Sequence, residues 1–242
     1  MEGVPNMTES EYYELRCYAV RNGRQVQRLH GFLREAAIPA WNRAGLKPVG
    51  VFAALLGSEA PHVHVLLRYA SLPAMLAARA ALQADRDYEA AGREFLEAAP
   101  EDPGFIRIQS SLVRSTAAVP TIEAPRDAAA AQPRIFELRR YECPSEHALA
   151  KKLEMFANGE MAIFRRCGLQ PVFFGETLVG PRLPSLVYML TFDSLAALEQ
   201  RWAAFRADPE WQRLWTTPGY TDAEIVSNTH AIVLRPLPGS QI

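Results

Sequence analysis

The chain has 242 residues, 49% of them hydrophobic and 22% charged, which is the usage of an ordinary globular protein with room for one large or two small domains. Its 26 basic and 27 acidic side chains give a formal net charge of −1, so no bulk field draws it to DNA, RNA or an anionic membrane, and no nucleic-acid partner is expected. Cys17, Cys143 and Cys167 form an odd set without CxxC spacing, the first ten residues lack the order of a signal peptide, and no run of ~18 apolar residues offers a transmembrane segment; a soluble protein of the reducing cytoplasm is expected.

Residues 12–19 read as a strand, with Glu14, Arg16 and Tyr18 on one face and Tyr13, Leu15 and Cys17 on the other. Over residues 23–44, Val26, Leu29, Leu33, Ala36 and Ala40 keep the spacing of an amphipathic helix, which Pro39 bends or divides and Gly45 caps. Residues 49–56 and 62–69 are apolar runs about the turn chemistry of 57–61, the pattern of a β-hairpin. Ser71 stands where an N-cap belongs, a helix and a shorter helical piece follow on either side of Asp85, and residues 105–113 supply a last strand. The order βαββαβ over residues 12–114 is that of a ferredoxin-like unit. Residues 115–133, rich in alanine and proline, have the composition of a linker.

From 134 to 235 the same order returns. Tyr13-Glu14-Leu15-Arg16-Cys17-Tyr18 recurs as Phe136-Glu137-Leu138-Arg139-Arg140-Tyr141, an offset of 137 − 14 = 123, and that offset also carries Gly45 onto Gly168, Pro48 onto Pro171, Pro61 onto Pro184 and Asp85 onto Asp208. Gap-free self-similarity of this kind marks a tandem duplication. Leu186 to Leu190 is apolar at consecutive positions and Val63 to Leu67 nearly so, the pattern of strands buried on both faces, while helices can cover only one face of each sheet. At ~25 cal/mol per Å2 of apolar area, an uncovered face would forfeit several kcal/mol, so the two helix-free faces are expected to cover each other. The expected fold is α+β, two tandem ferredoxin-like repeats forming an intrachain version of the dimeric α+β barrel.

The motifs Tyr-Glu-Leu-Arg-x-Tyr, Gly-Leu-x-Pro-Val, Tyr-Ala-Ser-Leu and Phe-Asp-Ser-Leu resemble those of the NIPSNAP family, over nearly the whole chain and twice. The resemblance implies the same barrel, and a family whose animal members are associated with mitochondria and vesicular traffic. It brings no catalytic signature to numbered positions.

Glu14 and Arg16, with Glu137 and Arg139, read either as a catalytic acid beside an anion clamp or, preferably, as cross-strand ion pairs fixing register, with Arg68 as a second partner of Glu14. His62 and His64 share a strand face, but with no third ligand in sequence they read as a general base or hydrogen-bonding core groups, and no metal is expected. Tyr18 is placed beside them, so Tyr18, His62 and His64 are the catalytic candidates; Arg16, Arg68 and Trp41 are the ligand-binding candidates. The offset maps His62, His64 and Arg68 onto Ser185, Val187 and Thr191, so a single site in the first repeat is expected. Trp202, Phe205, Trp211 and Trp215 at helical spacing read as core before pocket. Nucleotide, dinucleotide and nucleophile-elbow fingerprints are absent, and no cofactor is called for. Two functions stay open: binding of a small apolar molecule or a protein partner, and a cofactor-independent, monooxygenase-like enzyme acting on a small aromatic substrate with a His or Tyr proton acceptor. Homo-oligomerisation stays open too.

Overall fold

The computed structural model describes residues 10–56, 61–125 and 134–242, so most of the expected hairpin turn and the end of the expected linker lie outside the described residues. The first repeat runs β1 (Tyr12–Ala19), α1 (Gly23–Phe32), a π-turn (Leu33–Ala37), α2 (Ile38–Arg43), β2 (Gly50–Leu56), β3 (Val63–Tyr69), α3 (Leu72–Gln83), α4 (Arg86–Leu96) and β4 (Arg107–Ser115). The second runs β5 (Ile135–Glu142), α5 (Glu146–Met155), a π-turn (Phe156–Glu160), α6 (Met161–Arg166), β6 (Gln170–Val179), β7 (Ser185–Phe192), α7 (Leu195–Ala207), α8 (Pro209–Trp215), α9 (Asp222–Ile225) and β8 (Asn228–Pro236). The hydrogen-bonded strand order, β1-β3-β2-β8-β5-β7-β6-β4, is that of a closed barrel, so the duplicated α+β unit makes the expected intrachain dimeric barrel.

Local chemistry sets the helix ends. The side chains of Asn22, Ser71, Asp85, Ser145 and Ser194 each accept a hydrogen bond from a backbone N–H in the first turn of the helix that follows. Gly45 and Gly168 close the first helical arm of each repeat at φ +83° and +78°, where a β-carbon would be strained. Pro39, read as a bend, sits in the first turn of α2 directly after the π-turn. Proline has no N–H to return to the carbonyl four residues back, which suits a widened turn there. It is not the cause, however: the π-turn recurs at Phe156–Glu160, where the offset puts Ala162 in place of Pro39.

Two compact units result, and each combines most of one repeat with a segment from outside it. One consists of Tyr12–Leu112 with Ile232–Ile242, and the other of residues 134–231 with Val113–Glu123. In the first, β3 lies antiparallel between β1 and β2, and the end of β8 pairs with β2; Leu237 and Gln241 then donate to the carbonyls of Val51 and Val49 at 2.9 and 2.8 Å. In the second, β7 lies between β5 and β6, the Glu123 N–H donates to the Val172 carbonyl at 2.8 Å, and the Ile122 N–H donates to the Glu11 carboxylate at 2.9 Å. The start of the alanine- and proline-rich stretch is thus pinned backbone. β3 and β7 are buried on both faces, apart from partial exposure at Arg68, as their unbroken apolar runs require.

Gly175 in β6 marks a close approach of two backbones. A β-carbon there would stand 2.4 Å from the Arg114 carbonyl oxygen, a backbone atom that cannot swing aside, whereas a β-carbon at Gly31, in the last turn of α1, meets nothing within 4 Å. Gly175→Ala is therefore expected to cost ~1–3 kcal/mol and lower the melting temperature by several degrees, while Gly31→Ala raises it slightly. Thermal unfolding followed by circular dichroism checks both; a Gly175→Ala curve overlying the parent's would mean that β4 and β6 are not this close.

Candidate functional site

In the first repeat, β1 turns Glu14, Arg16 and Tyr18 toward the helices. The Arg16 guanidinium donates from Nε and Nη2 to the two Glu14 carboxylate oxygens at 2.7 and 3.0 Å, the Tyr69 hydroxyl donates to the same carboxylate at 2.9 Å, and Ser110 donates to it at 2.8 Å. Arg79 of α3 approaches at 3.7 Å. Glu14 is 2% exposed. Burial alone would raise its carboxyl, but the Arg16, Ser110 and Tyr69 hydrogen bonds outweigh it and hold the group below the usual glutamate range. The pair is not the expected cross-strand one: its members stand two apart on a single strand, where the pleat puts them on one face. Trp41 of α2 does join this group, its ring 5.6 Å from the Arg16 guanidinium carbon. Arg68 does not, because it lies opposite Tyr13 on the other face of the sheet and reaches toward the Lys47 carbonyl at 3.5 Å; Tyr69 takes the place expected of it.

The same register separates the catalytic candidates. Tyr18 pairs with Val63, and Cys17 pairs with His64, so Tyr18 and His64 project to opposite faces. Tyr18 is buried on the helix side with its ring edge-on to Phe105 at 5.9 Å, and burial raises its phenol, with Arg16 pulling the other way. The expected cluster of Tyr18, His62 and His64 therefore does not form. Its place is taken by the residue before Tyr18: the Cys17 thiol lies 3.7 Å from His62 Nδ1, with His64 opposite it on the neighbouring strand. The register between β1 and β3 holds this information, since a shift of one residue exchanges the faces of a whole strand. Among the described residues, no group of three or more His, Cys, Asp or Glu side chains is placed to hold a metal ion.

The second repeat rebuilds the helix-side cluster with other partners. Arg139 donates to Glu137 at 3.0 Å, Trp202 Nε1 donates to the same carboxylate at 2.7 Å, and the Arg139 guanidinium carbon lies 4.5 Å from the Trp202 ring. The hydroxyls of Tyr141 and Tyr188 share a hydrogen bond of 2.9 Å, and burial pushes the Tyr188 phenol well up. Deeper still, Lys152 Nζ meets Glu160 at 3.1 Å, each residue 1% exposed, with the rings of Tyr141, Phe156 and Trp211 within 6 Å of the ammonium. Burial alone would lower Lys152, but the Glu160 carboxylate outweighs it and the ammonium stays charged. Nothing in the sequence pattern pointed to this pair. At ~100° per residue, positions eight apart fall about 80° from each other on a regular helix, whereas the π-turn absorbs one residue and brings them into line. The offset maps Lys152 and Glu160 onto Leu29 and Ala37, so the first repeat fills the same place without charge. Trp202 and Phe205 are core, as their spacing suggested, and Trp215 is 37% exposed.

Among the described residues, grooves lie outside these clusters at two places. One, of about 390 Å3, runs between α1 and α4 over the stacked rings of Phe32 and Phe95, with Arg24, Arg28, Glu94 and Asp102 on its walls. The other, of about 630 Å3, lies in the second unit between α5 and β6, with apolar walls from Leu149, Leu153, Leu178 and Leu183 and the Arg114–Glu176 pair, 2.7 Å apart, at one side.

Compared with known proteins, the NIPSNAP family model matches residues 13–116 and again 136–241. The chain belongs to the NIPSNAP family. No curated protein matches the sequence. Among solved structures, this NIPSNAP chain resembles a protein from Lactobacillus acidophilus NCFM named as a proposed monooxygenase, at 9% identity and a TM-score of 0.60 over 94% of each chain. It also resembles an anthrone oxidase-like protein, at 11% identity and a TM-score of 0.53 over 94% of this chain and 91% of that one. A NIPSNAP-like domain protein from Burkholderia xenovorans is 20% identical over 44% of this chain and 88% of its own length, with a TM-score of 0.40. At these identities the likeness is one of fold.

The two copies of the NIPSNAP motif differ in how their carboxylates are held, and that sets unequal costs. Arg16→Ala leaves Glu14 its Tyr69 and Ser110 donors and is expected to cost ~2–3 kcal/mol; Arg139→Ala leaves Glu137 with Trp202 and is expected to cost more, ~3–4 kcal/mol. Equal losses in urea unfolding would contradict this ordering. Because Glu14 titrates lower in the fold than in the unfolded chain, its contribution is complete above the ordinary carboxylate range and drains away as pH falls through the lower folded value. Melting temperature should therefore drop below about pH 5, and less steeply in Glu14→Gln, measured as a difference from the parent at each pH. For the buried pair, the double change Lys152→Leu with Glu160→Ala copies the first repeat and is expected to stay within ~1 kcal/mol of the parent or exceed it, while Glu160→Ala alone strands the ammonium at ~3 kcal/mol or more. A double variant as unstable as the single one would show that the charges themselves hold α5 in place.

Proposed function

We propose that this NIPSNAP protein is a binding protein for a small, largely apolar molecule, and that the molecule sits in the groove between α5 and β6. The observation that carries the reading is the make-up of that groove: a volume of about 630 Å3 lined by four leucines together with the charged groups of Arg114, Glu146 and Glu176. Small-molecule sites typically measure ~300–1,000 Å3 and combine apolar walls with a few polar groups that fix orientation. Arg114 and Glu176 are 38% and 27% exposed as side chains, and an ion pair so placed is worth under ~1 kcal/mol, so a ligand's polar end can replace either partner at little cost. Leu183, 50% exposed, stands at the mouth. None of Arg16, Arg68 and Trp41 lines this groove. The enzymatic reading draws on the fold shared with proteins named for oxygenase chemistry, but the separation of Tyr18 from His62 and His64 takes away the acid–base cluster on which it rested. Three cysteines without a disulfide suit a reducing compartment, and we assign the protein to the cytoplasm on that ground. No helix among the described residues is long and apolar enough to cross a membrane.

A ligand burying ~300 Å2 of apolar area gains ~7 kcal/mol gross, more than half of it lost to immobilisation, so affinities weaker than micromolar are expected for generic probes. Titration with the apolar fluorophore anilinonaphthalene sulfonate should give one saturable site in the parent, weakened at least about tenfold in Leu153→Asp with the circular dichroism spectrum unchanged. Equal binding by the two proteins would remove the groove as the site.

A further inference from the structure

We propose that Cys17 and His62 form a nucleophile–base pair, making Cys17 a thiol–disulfide exchange site that accepts one half of a low-molecular-weight disulfide. The inference is independent of the groove between α5 and β6, which lies in the other compact unit.

The geometry is that of an activated thiol. Cys17 sits near the end of β1 and His62 stands just before β3, and the antiparallel register brings the thiol sulfur to 3.7 Å from His62 Nδ1, within reach of an S–H···N hydrogen bond. His64, two residues on and directly opposite Cys17, puts a second imidazole on the same face of the sheet. Both Cys17 and His62 are half-buried, so a small reagent can approach from solvent while the pair keeps its alignment. A thiol beside a base is the arrangement by which cysteine nucleophiles are activated.

The other two cysteines serve as internal comparisons. Cys167 is exposed to a similar degree, but its partner is the Asp208 carboxylate at 3.9 Å; burial and that neighbouring negative charge both raise its thiol. Cys143 is buried, and desolvation pushes its thiol up to about 11. Exposure alone would rank Cys17 and Cys167 together, and only the partner distinguishes them. The second repeat has lost the arrangement, since the offset maps Cys17, His62 and His64 onto Arg140, Ser185 and Val187, and Arg140 there donates to Ser185 at 3.0 Å.

In the exchange step the Cys17 S–H proton passes to His62 Nδ1 as the sulfur's electron pair attacks one sulfur of the incoming disulfide. The Cys17–S bond forms, the original S–S bond breaks, and the leaving half departs as a thiolate that takes up the proton from the imidazolium. No electrons are gained or lost overall, and the incoming disulfide is the only co-reactant.

The test treats the full chain with dithiobis-nitrobenzoate at sub-stoichiometric amounts, follows release of the coloured thiolate, and locates the modified cysteine by peptide mass spectrometry. Cys17 is expected to react first, Cys17→Ser to abolish the fast phase, and His62→Gln to slow it about a hundredfold, the low end of what a positioned base contributes. The parent's rate should also fall less steeply toward lower pH than that of His62→Gln. Preferential labelling of Cys167, or an unchanged rate in a folded His62→Gln protein, would overturn the assignment. Should His62→Gln prove unstable, a parent pH profile identical to that of a free cysteine peptide overturns it equally.

Discussion

The fold depends on burying a carboxylate and a guanidinium on the same strand. Glu14 and Arg16 stand two residues apart, so the pleat forces them onto one face, and that face is the one the helices cover. Neither charge can be left alone in such a place, because an unpaired buried ion costs far more than the pair returns. The remaining lone pairs of the carboxylate must then find donors, and they find them in Tyr69 of β3, Ser110 of β4 and Arg79 of α3. A single two-residue motif thereby ties three strands and a helix to one orientation. The second repeat meets the same demand through Trp202, which donates to Glu137 and stacks beneath Arg139.

Much of this could be read in the chain. The duplicated Glu-x-Arg motif, the capping serines Ser71 and Ser194, the positive-φ glycines Gly45 and Gly168 and the doubly buried central strands are all local or periodic features, and the structure keeps every one of them. What escaped was relational. Whether Tyr18 or Cys17 shares a face with His64 turns on the parity of the register between β1 and β3, strands that two helices and β2 separate in the chain. Arg68 was misplaced by the same parity. The buried pair of Lys152 and Glu160 escaped because a regular-helix wheel sets its members on different faces, and only the widened turn aligns them. Of the candidate site residues, Arg16 and Trp41 come together, and His62 with His64 keep one face; the groove between α5 and β6 has no signature at all in the sequence, since leucines on a helix and a strand look like core until their spacing in three dimensions is known.

The two copies show how much freedom a shared scaffold leaves. Where one fills the space under its first helix with Leu29 and Ala37, the other inserts an ammonium and a carboxylate; where one places Val65 opposite its arginine, the other places Tyr188. Each change of polarity is matched by a partner within hydrogen-bonding distance.

The π-turns carry a further implication. Leu33–Ala37 and Phe156–Glu160 occupy equivalent places, yet Leu-Arg-Glu-Ala-Ala and Phe-Ala-Asn-Gly-Glu share no residue at any position, and one contains a glycine at φ 171° where the other has alanine. A backbone irregularity that survives complete replacement of its side chains was present in the single ancestral unit before the gene segment doubled. It has been inherited as a shape. Every residue after it is rotated by one position relative to a continuous helix, so its loss in either half would re-aim α2 or α6 and everything those segments cover.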